Sequence, residues 1–159
     1  MRAAVLTVSD GVVAGTREDR SGDLLAELLA AEGYDVDRRA VPDEADEIAA
    51  AIVELAESAA VVLTTGGTGV APRDVTPEAT RSVIDREAPG IAEAIRADSL
   101  AKTPHALLSR GVAGVHRRTL VVNLPGSPGG CRDGYAVLQP ALGHALGLLA
   151  EAETAHRQT

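Results

Sequence analysis

The sequence predicts an α/β fold, a mainly parallel sheet with helices on both faces. Three observations point there. Short β-rich runs alternate along the chain with helical patterns, the order of βαβ units. Ala59–Leu63 is continuously apolar and Thr119–Leu124 is strongly β-forming, as suits central strands covered on both sides. The 159 residues and 45% apolar content fit one compact domain with its own core.

Taken in order, Ala3–Val8 reads as the first strand and stops at a polar loop, Ser9 to Arg20. Ser21-Gly22-Asp23 opens a helical pattern in which Leu24, Leu25, Leu28 and Leu29 share one face, with Gly33 where a C-cap belongs. Tyr34–Val41 is the second strand. Pro42-Asp43-Glu44 starts a helix with Ile48, Ile52, Val53 and Leu55 as its apolar set and acids in its first turn. After the Ala59–Leu63 strand comes Thr64–Gly69. Thr76-Pro77-Glu78 then begins another helix, with Pro in the first turn. Pro89-Gly90 breaks the chain, and Ile91–Leu100 is helical. Lys102–Arg118 is irregular, with a short strand near Val112–Val115. The last helix runs from Cys131 to about Glu151, and Pro140 is expected to kink or split it. The expected organisation is one domain over residues 1–153 and a frayed polar tail, 154–159.

With no Phe or Trp and two Tyr, the core must be aliphatic and base-stacking platforms are nearly excluded. A formal net charge of −8 argues against nucleic-acid binding, which relies on Lys and Arg neutralising phosphates. It leaves room for a small phosphorylated ligand held by backbone N–H groups and a few local cations. A single cysteine, Cys131, allows no internal disulfide and suits a reducing compartment. No segment has the roughly 20 apolar residues of a membrane span, and the amino-terminal run is too short for a signal sequence. A cytoplasmic protein is expected.

In such a sheet, ligands bind beyond the carboxyl ends of the strands. Four polar or Gly-rich segments are expected there: Ser9-Asp10-Gly11, Pro42-Asp43, Thr64–Asp74 and Asn123–Pro128. Gly66, Gly67 and Gly69 permit positive φ and close approach of backbone N–H groups, and Thr65 and Thr68 add hydroxyls. The spacing is neither a P-loop nor a dinucleotide fingerprint, and a ligand-free turn is the plain alternative. Asp74 beside this loop suits Mg²⁺, which takes one or two carboxylates plus phosphate oxygens; helix capping is its alternative reading, and Asp43 shares the ambiguity. Ser127 is either a ligand contact or the cap of the last helix. Ser109-Arg110 pairs a hydroxyl with a guanidinium, fit for a phosphate or a polar heterocycle or for an ordinary surface loop. The four histidines lack metal-ligand spacing, and His144 reads as structural. Cys131 has no legible catalytic partner.

These segments, in this order, resemble the molybdopterin adenylyltransferase family of MogA/MoaB type. The resemblance rests on Val8-Ser9-Asp10, Asp19-x-Ser21-Gly22, Pro42-Asp43, the run Thr64 to Ala79, Leu108-Ser109-Arg110 and Asn123-Leu124-Pro125-Gly126-Ser127. It covers roughly Ala3 to Ala150. It implies a three-layer α/β/α sandwich with a mostly parallel central sheet and a homotrimer, with a hexamer as the variant. It implies transfer of AMP from Mg-ATP to the terminal phosphate of molybdopterin, with a molybdenum insertase taking the product. By the same resemblance Asp43 and Asp74 are the catalytic, Mg²⁺-holding pair. Thr65, Gly66, Gly67, Thr68 and Gly69 surround the nucleotide. Ser9, Asp10, Ser21, Gly22, Ser109, Arg110, Pro125, Gly126 and Ser127 surround molybdopterin. A MoaB-type molybdopterin carrier without turnover and a nucleotide pyrophosphohydrolase are the alternatives on this fold.

Overall fold

The computed structural model describes residues 1–156, with side chains through residue 151. Six strands, β1 (Arg2–Val8), β2 (Asp35–Val41), β3 (Val61–Thr65), β4 (Arg86–Glu87), β5 (Ala113–His116) and β6 (Thr119–Leu124), form one sheet. Its order is β2-β1-β3-β6-β5-β4. The β1–β2, β1–β3 and β3–β6 pairs are parallel; β5 and β4 add an antiparallel margin. The helices are α1 (Asp10–Val13), α2 (Arg20–Ala31), α3 (Ala45–Ala56), α4 (Thr76–Val83), α5 (Pro89–Leu100) and α6 (Pro128–His156), with a 3-10 turn at Pro104–Leu108.

The three layers follow from the period of two along the central strands. Ala3 and Val5 of β1, Val61 and Leu63 of β3, and Leu120, Val122 and Leu124 of β6 join one buried cluster with Leu25, Leu29, Ile95, Leu138 and Leu142 from α2, α5 and α6. Ala4, Leu6 and Val8, Val62 and Val121 point the other way, against Ile48, Ile52 and Leu55 of α3 and Ala79 of α4. Each fully buried Leu, Ile or Val contributes about 1.5–3 kcal/mol. A one-residue slip of β1 would exchange its two sets of side chains between the layers.

Four features differ from the expected pattern. The first loop holds a four-residue helix, α1, capped by Ser9, whose Oγ accepts from the Val12 N–H at 3.2 Å. Asp19, two residues earlier than the expected start at Ser21, caps α2 through the Gly22 N–H at 3.0 Å. The two-residue β4 is too short to leave a periodicity in sequence. Pro140 does not split α6. Pro140 and Ala136 are both exposed, so the carbonyl that loses its helical donor faces water. The last three residues of the expected tail lie outside the described residues.

Candidate functional site

The carboxyl ends of the four parallel strands open into one cleft of about 810 Å³. The end of β1 supplies Ser9, the end of β2 Asp43, the turn after β3 Thr65, Gly66 and Gly67, then Asp74, and the end of β6 Gly126 and Ser127. Ser21, at the start of α2, completes the predicted residues found there.

The glycine loop is shaped by close approaches. Gly66 and Gly67 take φ values of +98° and +67°, where side chains are strained. A Cβ on Gly66 would stand 2.3 Å from the Val8 carbonyl oxygen, and one on Gly67 2.3 Å from Thr76 Oγ1. Gly69 does not use the positive φ that its residue type permits; a Cβ there would meet Asp74 Oδ2 at 2.7 Å. Thr76 pins the turn, donating its hydroxyl to Gly66 O at 2.9 Å and its N–H to Gly67 O at 3.1 Å. Among the described residues, no protein acceptor takes up the N–H groups of Gly67, Thr68 and Gly69. Unpaired backbone N–H groups of consecutive loop residues are donors of the kind that receive phosphate oxygens.

Neither aspartate is a helix cap. The capping positions of α3 and α4 are Glu44 and Val75, and neither makes a side-chain cap bond. Asp43 instead exchanges bonds with Asp10. Asp43 Oδ2 accepts the Asp10 N–H at 2.9 Å, and Asp10 Oδ1 accepts the Asp43 N–H at 3.0 Å. Arg73 grips Asp10 at 2.8 and 3.1 Å and reaches Glu44 at 3.0 Å. Arg73's hydrogen bonds, followed by the Asp43 N–H, hold the Asp10 carboxyl below its ordinary pKa. Burial lifts that of Asp43. The Asp10 N–H and Arg73 oppose the rise, while the Asp10 and Asp74 charges add to it. Asp74 Oδ2 accepts the Ala71 N–H at 3.0 Å, closing a local turn.

Hydroxyls singled out in the sequence mostly hold loops in place. Ser21 donates to Gly126 O at 3.0 Å and Thr65 to Pro125 O at 2.7 Å, so those protons are committed. Ser9 and Ser127 accept backbone N–H groups at 3.2 and 3.1 Å and keep their own protons for another partner. Ser127 thus both caps α6 and lines the cleft. Cys131 is fully buried under Thr65 and Pro125, and burial pushes its thiol upward in pKa, so it stays neutral.

A second cleft, about 380 Å³, lies across the loop. Thr68, Gly69, Ser109, Pro125 and Ser127 line it, together with Arg96, Ser99, Lys102, Thr103 and His105, which the sequence reading had not selected. Ser127 and Gly66–Gly69 therefore stand between the two clefts. Asp10, Gly22 and Arg110 line neither. Asp10 supports Asp43, Gly22 takes the cap of Asp19, and the Arg110 guanidinium bonds Gly69 O, Asp74 O and Glu78. His144 is exposed, so it has no core role.

Arg17, from the connection between α1 and α2, and Arg20, the first residue of α2, are the first cleft's cations and were also missed. Arg20 pairs with Glu18 at 3.2 Å; Arg17 has no ion pair among the described residues. The one available clue was two arginines inside a loop already read as polar. Among the described residues no three His, Cys, Asp or Glu side chains gather around a metal position. Asp43 and Asp74 still suit Mg²⁺. The Asp74 charge adds to the rise of the Asp43 pKa, a repulsion of the kind that a divalent cation would relieve.

Residues 4–144 match the family described as "Probable molybdopterin binding domain". The molybdopterin adenylyltransferase of Escherichia coli K12 is 37% identical over 92% of this chain and 77% of its own length. The Drosophila melanogaster molybdenum cofactor synthesis protein cinnamon is 38% identical over 98% of this chain, which spans only 26% of that protein. The crystal structure of the molybdopterin biosynthesis enzyme MoaB from Thermus thermophilus has a TM-score of 0.87 and 48% identity. The alignment covers 93% of this chain and 95% of that one.

Proposed function

The chain belongs to the family of molybdopterin-binding domains, and on that premise we propose that it is a molybdopterin adenylyltransferase. The reaction is transfer of AMP from ATP to the terminal phosphate of molybdopterin. An oxygen of that phosphate bonds to the α-phosphorus of ATP, the bond to the β-phosphate oxygen breaks, and pyrophosphate leaves. The observation that carries this reading is the convergence of Asp43, Asp74 and the Gly66–Gly67 turn on one cleft.

The nucleophile is already ionised, so the protein's tasks are alignment and charge neutralisation. The backbone N–H of Gly67, which lines this cleft and has no protein acceptor among the described residues, supports contact with phosphate oxygens, which gain charge in the transition state. Arg17, without an ion pair in the described structure, adds a positive charge beside the same cleft. Asp43 and Asp74 would hold Mg²⁺, which supplies Lewis-acid stabilisation of the phosphates and of the leaving pyrophosphate. Asp10 and Arg73 keep Asp43 in place for that task.

The test is product analysis after mixing the protein with molybdopterin, ATP and Mg²⁺. Adenylylated molybdopterin and pyrophosphate in equal amounts are expected. Molybdopterin binding with no ATP consumed would replace this reading with a carrier. ATP cleavage without molybdopterin would replace it with a pyrophosphohydrolase. The same reading includes a cytoplasmic homotrimer that hands its product to a molybdenum insertase, and light scattering on the purified protein tests the trimer.

A further inference from the structure

We propose that Arg110 is a positioning residue, which closes the Gly69–Asp74 loop and so holds the Asp74 carboxylate at the cleft without binding substrate phosphate. Its Nε donates to Gly69 O at 2.7 Å and its Nη2 to Asp74 O at 2.6 Å. Those carbonyls are the two ends of the loop, so one planar guanidinium spans its neck. The third nitrogen, Nη1, is held by Glu78 on α4, which fixes the plane of the group. The Arg110 backbone N–H adds a bond to Thr68 O at 2.8 Å. All three guanidinium nitrogens therefore have protein acceptors, and the residue lines neither cleft.

The loop needs such a clamp. Its internal ties are short-range ones between Ala71 and Asp74: the Asp74 N–H to Ala71 O at 2.9 Å and the Ala71 N–H to Asp74 Oδ2 at 3.0 Å. Most of it is exposed, including Val70, Ala71, Pro72 and Arg73. Its other anchor is the exposed Arg73, paired with Asp10 and Glu44, so closing the neck removes freedom that this solvent-screened tie leaves for Asp74 to swing away from Gly69. Lysine keeps the charge but gathers its donors on one nitrogen, and so loses the planar fork that places a separate nitrogen at each carbonyl and at Glu78. The Glu78 carboxyl, held below its ordinary range first by the Arg110 hydrogen bond, is consistent with a maintained pair.

The proposal rests on the adenylyltransferase reading for its catalytic consequence, but its structural consequence is measured separately. Amide hydrogen exchange is followed in the full chain for wild type, Arg110→Lys and Glu78→Gln, with turnover measured on the same samples. Exchange over residues 69–75 is expected to quicken about tenfold in Arg110→Lys and a few-fold in Glu78→Gln, with the sheet unchanged. Turnover should fall through kcat, with the half-saturating Mg²⁺ concentration raised and KM for molybdopterin within about twofold. Unchanged loop exchange in both variants would overturn the clamp whether or not the protein is active. A rise confined to KM for molybdopterin would overturn it in favour of direct phosphate binding. Absence of adenylyl transfer in wild type, with quickened loop exchange in the variants, would remove the enzymatic reading and leave the clamp.

Discussion

Asp43 and Asp74 line the same cleft but are held by different means. Asp43 hangs on a relay of charges: it exchanges bonds with Asp10, and Asp10 is gripped by Arg73, whose side chain is 57% exposed. Asp74 is held by backbone geometry, through its own turn with Ala71 and the Arg110 bond to its carbonyl. A relay through exposed charges is screened by salt, whereas a loop closed on carbonyl oxygens is much less so. Asp43 should therefore respond to ionic strength and pH, and Asp74 chiefly to changes in shape.

The largest effect is expected from Asp74→Ala. Adenylyl transfer should fall by about 10²-fold or more, as when a key electrostatic group is removed, while molybdopterin binding measured by titration persists. Near-full activity would strip Asp74 of its assigned role.

Asp43→Asn should lose about tenfold or more in kcat yet gain stability. The folded protein holds this carboxyl above its ordinary pKa, so the ionised form is disfavoured by folding. Its contribution to stability is present below pH 3.8 and is lost as pH rises through the folded value. Removing the charge should raise the neutral-pH unfolding midpoint by about 1–2 °C, while the amide oxygen still accepts the Asp10 N–H. Asp10→Asn should do the opposite. Its pKa is depressed, so its contribution is present above pH 3.8 and is lost on acidification through the folded value. Thermal scans of both variants at pH 7 test the opposed signs; a fall for Asp43→Asn would refute the desolvation argument.

Gly69→Ala probes the Asp74 side by shape alone. The added Cβ would meet Asp74 Oδ2 at 2.7 Å, but at an ordinary φ. The yielding atom is the end of a side chain, so the unfolding midpoint should move little while kcat falls about tenfold. Equal losses in stability and rate would mean that the backbone, not the carboxylate, had shifted.

Arg73→Gln should have the smallest effect, about threefold in rate at low salt. The gap from wild type should close near 1 M salt, where the Debye length is about 3 Å. The Asp74→Ala gap should not close. Parallel salt titrations of the two variants would show whether the two supports differ in kind.

The sequence by itself determined the alternation of strands and helices, the apolar runs that became β3 and β6, and the four loops at the carboxyl ends of the parallel strands. Those properties are local: a period of two or 3.6, and glycines or prolines where the backbone turns. Glycine marks Gly66 and Gly67 as able to take a left-handed backbone, which they do, whereas Gly69, equally able, does not. Tertiary structure decided which acceptors each polar side chain meets. Arg73 finds Asp10 across 63 residues, and Arg110 finds the Asp74 carbonyl across 36. Ser21 and Thr65, which look like ligand donors in sequence, give their protons to the Pro125-Gly126 turn, whereas Arg17 is brought to the cleft without a local ion pair. Local spacing sets backbone conformation; only the folded sheet brings distant strand ends together, and that proximity decides which polar groups are satisfied internally and which are left facing a ligand.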